Sequence, residues 1–287
     1  MTDSIHIVLS SDDNYARYLA VTIVSVLANR AEGDKLVFHI LDGGIRQKNR
    51  EIIAKLVANY GGSIEFLTVD QSLFSGKMLN ITAQNHITLA TYYRLLTPSL
   101  IKADRCIYMD CDMICCSSLA PVWRTEFDGY LAAAVQDISD KELAPRLGVK
   151  NYFNAGFFLF NLRAMREEGI QERFFRFIEE HHDRILMHDQ DVLNAVLEGR
   201  IFELDKRWNC QVCKTRACKE KGFHTLSRNA SVLHYLGRRK PWVKGCRAPG
   251  REQYWKYLEM TPWKMSAAEK IRFQIGDIVE RMRMILK

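Results

Sequence analysis

The chain has 287 residues, 47% hydrophobic and 26% charged, with a formal net charge of +7. That is the composition of a globular protein of one large α/β domain or two small ones, and with no run of about 18 apolar residues it excludes a membrane-spanning helix. The charge is uneven: residues 1–205 carry 21 basic and 28 acidic side chains, net −7, whereas residues 206–287 carry 20 basic and 6 acidic, net +14.

The start, Met1-Thr2-Asp3-Ser4, has no basic leader region, and the apolar run from Ile5 to Leu9 is short for a signal peptide. That run predicts a buried first strand closed by Ser10-Ser11-Asp12-Asp13-Asn14. From Tyr15 to Ala28, Leu19, Ile23, Val26 and Leu27 recur at helical spacing. Leu36 to Leu41 predicts a second strand, stopped by Asp42-Gly43-Gly44. Arg46 to Asn59 predicts a helix capped by Tyr60-Gly61-Gly62, and Ser63 to Val69 a third strand. This alternation predicts a mostly parallel sheet with helices on both faces. Ligands bind such sheets beyond the carboxyl ends of the strands.

Thr88 to Leu96 predicts a helix stopped near Pro98. Next comes the most informative stretch, Asp110-Cys111-Asp112, set between the apolar strands Cys106 to Met109 and Met113 to Cys116. Two carboxylates at a strand end repel each other unless a cation lies between them. An oxygen-loving Mn²⁺ or Mg²⁺ satisfies both and leaves room for phosphate oxygens. Asn154 to Asn161 predicts another buried strand, and Arg173 to His181 and Gln190 to Leu197 predict helices. His234 ends the apolar pair Val232-Leu233; Gly237 follows at +3 and Lys240 at +6. An imidazole that ligates metal, a glycine that lets backbone approach a phosphate and a lysine that supplies a point charge form one chemical set.

From Ala267 to Lys287 the apolar Ile271, Ile275, Ile278, Val279, Met282, Ile285 and Leu286 form one helical stripe, flanked by Lys270, Arg272, Arg281, Arg283 and Lys287. Two uses compete for that stripe, docking on the core and lying on an anionic lipid surface, and its terminal position favours the lipid. The basic end also raises nucleic-acid binding, but no RNA- or DNA-binding motif accompanies it. Neither G-x-G-x-x-G nor a Walker A motif is present, which weighs against a dehydrogenase or a P-loop NTPase. Of the eight cysteines, Cys210, Cys213, Cys218 and Cys246 lack the regular spacing of a zinc site, and reduced thiols are the better reading.

Five motifs in order give the chain a resemblance. They are Ser11-Asp12-Asp13-Asn14-Tyr15; His86-Ile87 with Thr91-Tyr92-Tyr93-Arg94-Leu95; Tyr108-Met109-Asp110-Cys111-Asp112; Tyr152-Phe153-Asn154-Ala155-Gly156 followed by His188-Asp189-Gln190-Asp191; and His234-x-x-Gly237-x-x-Lys240-Pro241-Trp242. Over Ile5 to Trp242 the chain resembles the retaining glycosyltransferases of family 8, most closely the bacterial lipopolysaccharide and lipooligosaccharide α-galactosyltransferase type.

The resemblance implies a GT-A-type nucleotide-sugar-binding fold, a Rossmann-like mixed, mostly parallel sheet flanked by helices. It implies a catalytic domain over 1–245 and a basic helical C-terminal segment over 246–287. It implies a UDP-sugar donor and Mn²⁺, with Mg²⁺ as the alternative. On that reading Ser10, Asp12, Asn14 and Tyr15 hold the uridine, Tyr15 by stacking. Asp110, Asp112 and His234 ligate the metal; Cys111, between the aspartates, turns its side chain away. Gly237 and Lys240 meet the diphosphate. Arg94, Asn154, Ala155, Asp189 and Gln190 surround the donor sugar, with Gln190 the electrostatic support for front-face attack and Asp189 the candidate nucleophile. His86 and Asp137 lie on the acceptor side, and the segment Ser139 to Asn151 is shorter than the resemblance implies. The expected reaction moves galactose from UDP-galactose to a lipopolysaccharide-type saccharide, with UDP-glucose, including a glycogenin-like use of it, as the alternative donor. The expected location is the cytoplasmic face of the bacterial inner membrane, held there by the basic segment, with no nucleic acid and no obligate protein partner.

Overall fold

A computed structural model describes residues 4–74, 89–212, 229–238 and 240–284. Its strands are β1 (Ile5–Ser11), β2 (Leu36–Asp42), β3 (Ser63–Thr68), β4 (Arg105–Met109), β5 (Met113–Cys115), β6 (Ala132–Gln136), β7 (Phe153–Asn161), β8 (Ile201–Glu203), β9 (Cys210–Val212) and β10 (Val232–Tyr235). Seven of them form one sheet in the order β3-β2-β1-β4-β7-β6-β8, and β5-β10-β9 form a second. The large sheet is parallel from β3 through β4. Strand β7 then runs antiparallel to both its neighbours, β4 and β6. The sheet is thus the mixed, mostly parallel one expected, with β7 as its reversed strand.

Alternation along β1 divides the interior. Ile5, Ile7 and Leu9 join a core with the helices Ala16–Ala28 and Gln47–Asn59, while Val8 joins a core with the helices Ile170–Glu180 and Asp189–Val196 on the opposite face. Near-continuous apolar runs in β1, β2 and β7 follow from burial on both sides. From β1 the chain winds outward to β2 and β3 on one side and continues to β4 on the other. The carboxyl ends of β1 and β4 therefore flank the point where strand order reverses, where such sheets open a crevice.

Thr88 to Leu96 emerges over its described part as a 3-10 helix, Leu89–Leu96, running into Pro98. Ser139 to Asn151 holds the short helix Asp140–Leu147, and Asp140 Oδ1 accepts the Tyr152 N–H at 2.6 Å. The cysteine reading covers Cys213 and Cys218, which lie outside the described residues; Cys106, Cys111, Cys115, Cys116, Cys210 and Cys246 are free thiols.

The C-terminal segment uses its two helices differently. Arg251–Leu258 buries Tyr254, Tyr257 and Leu258 in the main core, and Asn29 Nδ2 donates to Tyr257 Oη at 2.6 Å. Ala267–Arg283 opens on a reciprocal capping box between Ser266 and Glu269. This helix docks through the Phe273 ring, 4.7 Å from that of Trp255, and through a buried polar residue. Asp277, 5% exposed, accepts the Gly245 N–H at 2.7 Å and pairs with Arg251 at 3.2 Å and Arg281 at 2.8 Å. Ile271, Ile275, Ile278, Val279 and Met282 face outward, 43–60% exposed. No helix among the described residues is long and apolar enough to cross a membrane. Removing the cap by Ser266→Ala is expected to cost this helix about 1 kcal/mol. Hydrogen exchange in its first turn should then run roughly fivefold faster; unchanged exchange would show that the cap contributes nothing.

Candidate active site

Strand β4 delivers Asp110-Cys111-Asp112 to the crevice. The turn is held on three sides. Thr22 Oγ1 donates within reach of both the Cys111 and the Met113 carbonyls, at 3.0 and 2.9 Å. The Asp110 N–H donates to the Gly156 carbonyl at 2.9 Å. Cys111 Sγ turns toward β1 and donates to the Ser10 carbonyl at 3.2 Å, as expected for a side chain directed away from a metal. Antiparallel pairing of β10 with β5 then sets His234 opposite Met113 and beside the two aspartates.

One ligand atom from each of Asp110, Asp112 and His234 lies within 4.8 Å of the others, the only such His/Cys/Asp/Glu group among the described residues. His234 Nε2 stands 3.2 Å from Asp112 Oδ1 and 3.9 Å from Asp110 Oδ2. Asp112 Oδ1 is buried and accepts no hydrogen bond. A buried, unpartnered carboxylate oxygen facing an imidazole nitrogen and a second carboxylate suits a divalent cation, and this donor set is one that Mn²⁺ accepts. Lys240 Nζ meets the other Asp112 oxygen at 2.5 Å and donates to the Tyr235 carbonyl at 2.6 Å. Burial works against the Asp112 charge, but the Lys240 ammonium outweighs it and holds the carboxyl well below the usual range.

Arg94 is the charge hub behind the aspartates. Its guanidinium, buried over the Tyr108 ring at 4.4 Å, pairs with Asp110 Oδ1 and with Asp189 Oδ2, each at 2.8 Å, and donates to the Ala155 carbonyl at 2.5 Å. Burial opposes its charge, yet Asp110 and Asp189 keep it protonated. Burial pushes the Asp189 carboxyl up to about 7, with Arg94 acting against that rise.

Asp189 and Gln190 open the helix Asp189–Val196, preceded by His188 at φ +55°. A non-glycine residue in that region costs about 1–3 kcal/mol and persists where its surroundings over-determine it. Here they do. Asp191, fully buried, accepts the Leu186 and Met187 N–H groups at 2.8 Å each and the Tyr152 hydroxyl at 2.6 Å. Asn194 pairs with both polar groups of the Phe153 backbone, at 2.7 and 2.8 Å. The helix start is thereby pinned to the first residues of β7. Gln190 Oε1 accepts the Ala155 N–H at 2.9 Å and Asn154 Nδ2 at 3.3 Å, while its Nε2 donates to Asp137 at 3.2 Å. Asp137 therefore lies directly beneath Asn154 and Gln190.

On the β1 side, Asp12 caps the turn by accepting the Tyr15 N–H at 3.1 Å, Ser10 Oγ donates to the Ala90 carbonyl at 2.6 Å, and Asn14 is exposed. Tyr15 is half-buried, edge-on to Tyr18 at 5.2 Å and to Trp242 at 6.4 Å. Burial, with Asp112 adding to it, pushes its hydroxyl up to about 12. Gly237 takes φ +74° in the loop after β10. His86 lies outside the described residues.

Two residues to which sequence reading gives no role also belong here. Gly156 stands in the Asn154-Ala155-Gly156 motif because of His234: a Cβ there would fall 2.4 Å from His234 Cε1 and 2.8 Å from Met113 Cε. The structure explains that glycine by a contact from a strand far along the chain. Gly156→Ala is expected to displace the imidazole and weaken Mn²⁺ binding by at least about tenfold. Metal titration of the variant checks this, and unchanged affinity would show that His234 is not a ligand. Asn209, buried, meets His234 Nδ1 at 3.0 Å. No local signal marks it, because it acquires its partners only when β9 and β10 pair.

The comparisons with known proteins agree with this geometry. The model of the family described as Glycosyl transferase family 8 matches residues 6–246. The chain belongs to that family. This family 8 chain is 33% identical over 273 residues to General stress protein A of Bacillus subtilis (strain 168), covering 90% of this chain and 94% of the relative. It is 26% identical to a lipopolysaccharide 1,2-glucosyltransferase of Escherichia coli, covering 88% of this chain and 77% of that one. Among solved structures, the galactosyltransferase LgtC in complex with donor and acceptor sugar analogues superposes with a TM-score of 0.79 at 31% identity, covering 93% of this family 8 chain and 99% of LgtC. The GT-A fold and the family membership expected from the motifs are thus established.

Proposed function

We propose that this family 8 glycosyltransferase is a retaining, Mn²⁺-dependent enzyme that moves galactose from UDP-galactose to a saccharide acceptor of the lipopolysaccharide or lipooligosaccharide type. The convergence of Asp110, Asp112 and His234 at the reversal point of the sheet, with Asp112 Oδ1 unpartnered, carries the reading. The structural similarity to the galactosyltransferase LgtC supports galactose; the sequence similarity to the glucosyltransferase of Escherichia coli keeps UDP-glucose as the alternative donor.

The reaction breaks the bond between the anomeric carbon and the diphosphate. Negative charge builds on departing UDP and positive charge on the sugar. Asp110, Asp112 and His234 would hold a Mn²⁺, which would supply Lewis-acid stabilisation for the leaving diphosphate. Lys240, beside Asp112, adds a fixed cation for the same charge. Tyr15 stacks on the uracil, Asp12 and Asn14 hold the nucleoside from the β1 turn, and Gly237 lets backbone approach the phosphates. Arg94, Asn154, Ala155, Asp189 and Gln190 frame the sugar. Retention through a covalent intermediate needs a free carboxylate on the opposite face. Asp189 is clamped by Arg94 at 2.8 Å, and Gln190 is an amide whose oxygen is held by the Ala155 N–H at 2.9 Å. These contacts favour front-face attack by the acceptor hydroxyl, whose proton passes to the departing diphosphate oxygen on that face, with Gln190 and Asp189 as electrostatic support. Product made from UDP-galactose and a lipooligosaccharide acceptor should carry an α-linked galactose by NMR; a β linkage would overturn retention, and transfer from UDP-glucose alone would replace the donor.

The C-terminal helix Ala267–Arg283 is the proposed contact with an anionic membrane on the cytoplasmic side. Its apolar stripe is exposed, its inward anchor is Asp277, and residues 206–287 carry net +14. The paired change Ile275→Glu and Ile278→Glu is expected to abolish co-sedimentation with phosphatidylglycerol vesicles at an unchanged thermal midpoint. Undiminished sedimentation would move the contact elsewhere.

A further inference from the structure

We propose that Asn209 is a positioning residue for the metal site: at the end of a buried side-chain chain that starts at Asp137, it holds a proton on His234 Nδ1 and so leaves the Nε2 lone pair facing Asp110 and Asp112. The inference rests on the metal reading above and deepens it.

Each link is assigned by a group that can act in only one way. A backbone N–H only donates, and Gly156 N–H points at Asn154 Oδ1 at 3.1 Å, which fixes that atom as the amide oxygen. The other end of the amide agrees: Asn154 Nδ2 donates to Asp137 Oδ2 at 2.8 Å. Asp137 is itself held, its Oδ1 accepting the Ser139 N–H at 2.8 Å. With Asn154 oriented, its Oδ1 also receives Asn209 Nδ2 at 2.9 Å, which turns Asn209 Oδ1 toward His234 Nδ1 at 3.0 Å. An amide oxygen only accepts, so Nδ1 is the donor. Asp137, Asn154, Asn209 and His234 are all buried, where a reversed amide would leave unmatched donors and acceptors at a cost of about 1–3 kcal/mol each.

The consequence falls on the far side of the ring. Nε2 lies 3.2 Å from Asp112 Oδ1 without a hydrogen bond there, the arrangement that a cation between them resolves. Orientation of a ligating imidazole through its second nitrogen typically contributes tenfold to a hundredfold in metal affinity. The chain also ties the metal ligand to Gln190, since Asp137 Oδ2 receives Gln190 Nε2 at 3.2 Å. One carboxylate thus orients both the metal side and the sugar side of the crevice.

The test uses the full chain, Mn²⁺ alone as probe, and two variants. Asn209→Leu removes the acceptor at similar volume. Asn209→Asp keeps an oxygen toward Nδ1. Electron paramagnetic resonance of free Mn²⁺ should show affinity falling by about tenfold to a hundredfold in the leucine variant, with most of the loss recovered in the aspartate variant. In ¹⁵N-histidine-labelled protein, the Nδ1–H signal of His234 should be present in the wild type and the aspartate variant and lost in the leucine variant. A wild-type His234 whose Nδ1 carries no proton would overturn the proposal even if the leucine variant fails to fold. Mn²⁺ affinity in the leucine variant equal to that of the wild type would overturn it while leaving the metal reading in place. A wild type that binds no Mn²⁺ would overturn both.

Discussion

Asp112→Asn is expected to lower turnover by about a thousandfold while the protein stays folded. The magnitude follows from what the carboxylate does. A Lewis-acid metal contributes several kcal/mol to stabilising a leaving diphosphate, and each ~1.4 kcal/mol is a factor of ten in rate. Asp112 is the cleaner target of the two aspartates. One of its oxygens is unpartnered and faces His234, and the other meets Lys240 at 2.5 Å. Asp110, by contrast, also anchors Arg94, so its removal confounds metal loss with a buried charge defect. Asparagine keeps the shape of the turn, whose backbone is fixed by Thr22. Steady-state turnover, with circular dichroism as the folding control, checks the expectation. Activity within tenfold of wild type would remove Asp112 from the ligand set.

Arg94→Met should have the largest effect on stability, a loss of about 3–5 kcal/mol read from the denaturant midpoint. The guanidinium is 5% exposed and stands between two carboxylates at 2.8 Å each. Methionine fills the space over Tyr108 but leaves Asp110 and Asp189 facing each other's charge in a buried crevice. Lysine should not rescue it, because one ammonium cannot span two carboxylates and the Ala155 carbonyl as a planar fork does. The deficit should also depend on pH. Burial raises the Asp189 carboxyl to about 7 in the folded protein, above the unfolded value of about 3.9. A folded state that holds this proton more tightly than the unfolded state loses stability as pH rises between those values. Without Arg94 to oppose it, that loss grows, so the variant should be closer to wild type at pH 5 than at pH 8. A deficit independent of pH would show that Asp189 does not titrate in this window.

How much of this was legible in the sequence differs by element. The strand–helix alternation up to Val69 and the apolar strands flanking Asp110-Cys111-Asp112 are local patterns, and the fold follows them closely. Nothing in the Asn154 to Asn161 run tells the direction of β7, because a strand buried on both faces looks the same in either sense. Over its described residues the C-terminal stripe falls on one helix, with Ile285, Leu286 and Lys287 outside them, yet periodicity does not say which face is turned inward. Gly245, Arg251 and Arg281 recruit Asp277, and the apolar side is left outward. At the site, Asp110, Asp112 and His234 stood out by residue type and neighbours. Gly156 and Asn209 did not, since a missing Cβ matters only where the His234 ring would otherwise fall 2.4 Å from it, and Asn209 meets Asn154 and His234 only once distant strands are brought together.

The central claim is metal-dependent chemistry on a nucleotide sugar in the crevice between β1 and β4. The most direct test is UDP release by slow donor hydrolysis, measured for UDP-galactose, UDP-glucose and UDP-N-acetylglucosamine with Mn²⁺ and again with EDTA. The account predicts release that depends on Mn²⁺ and is fastest from UDP-galactose. Release unaffected by EDTA, or none from any donor together with no Mn²⁺-dependent binding of UDP, would contradict it.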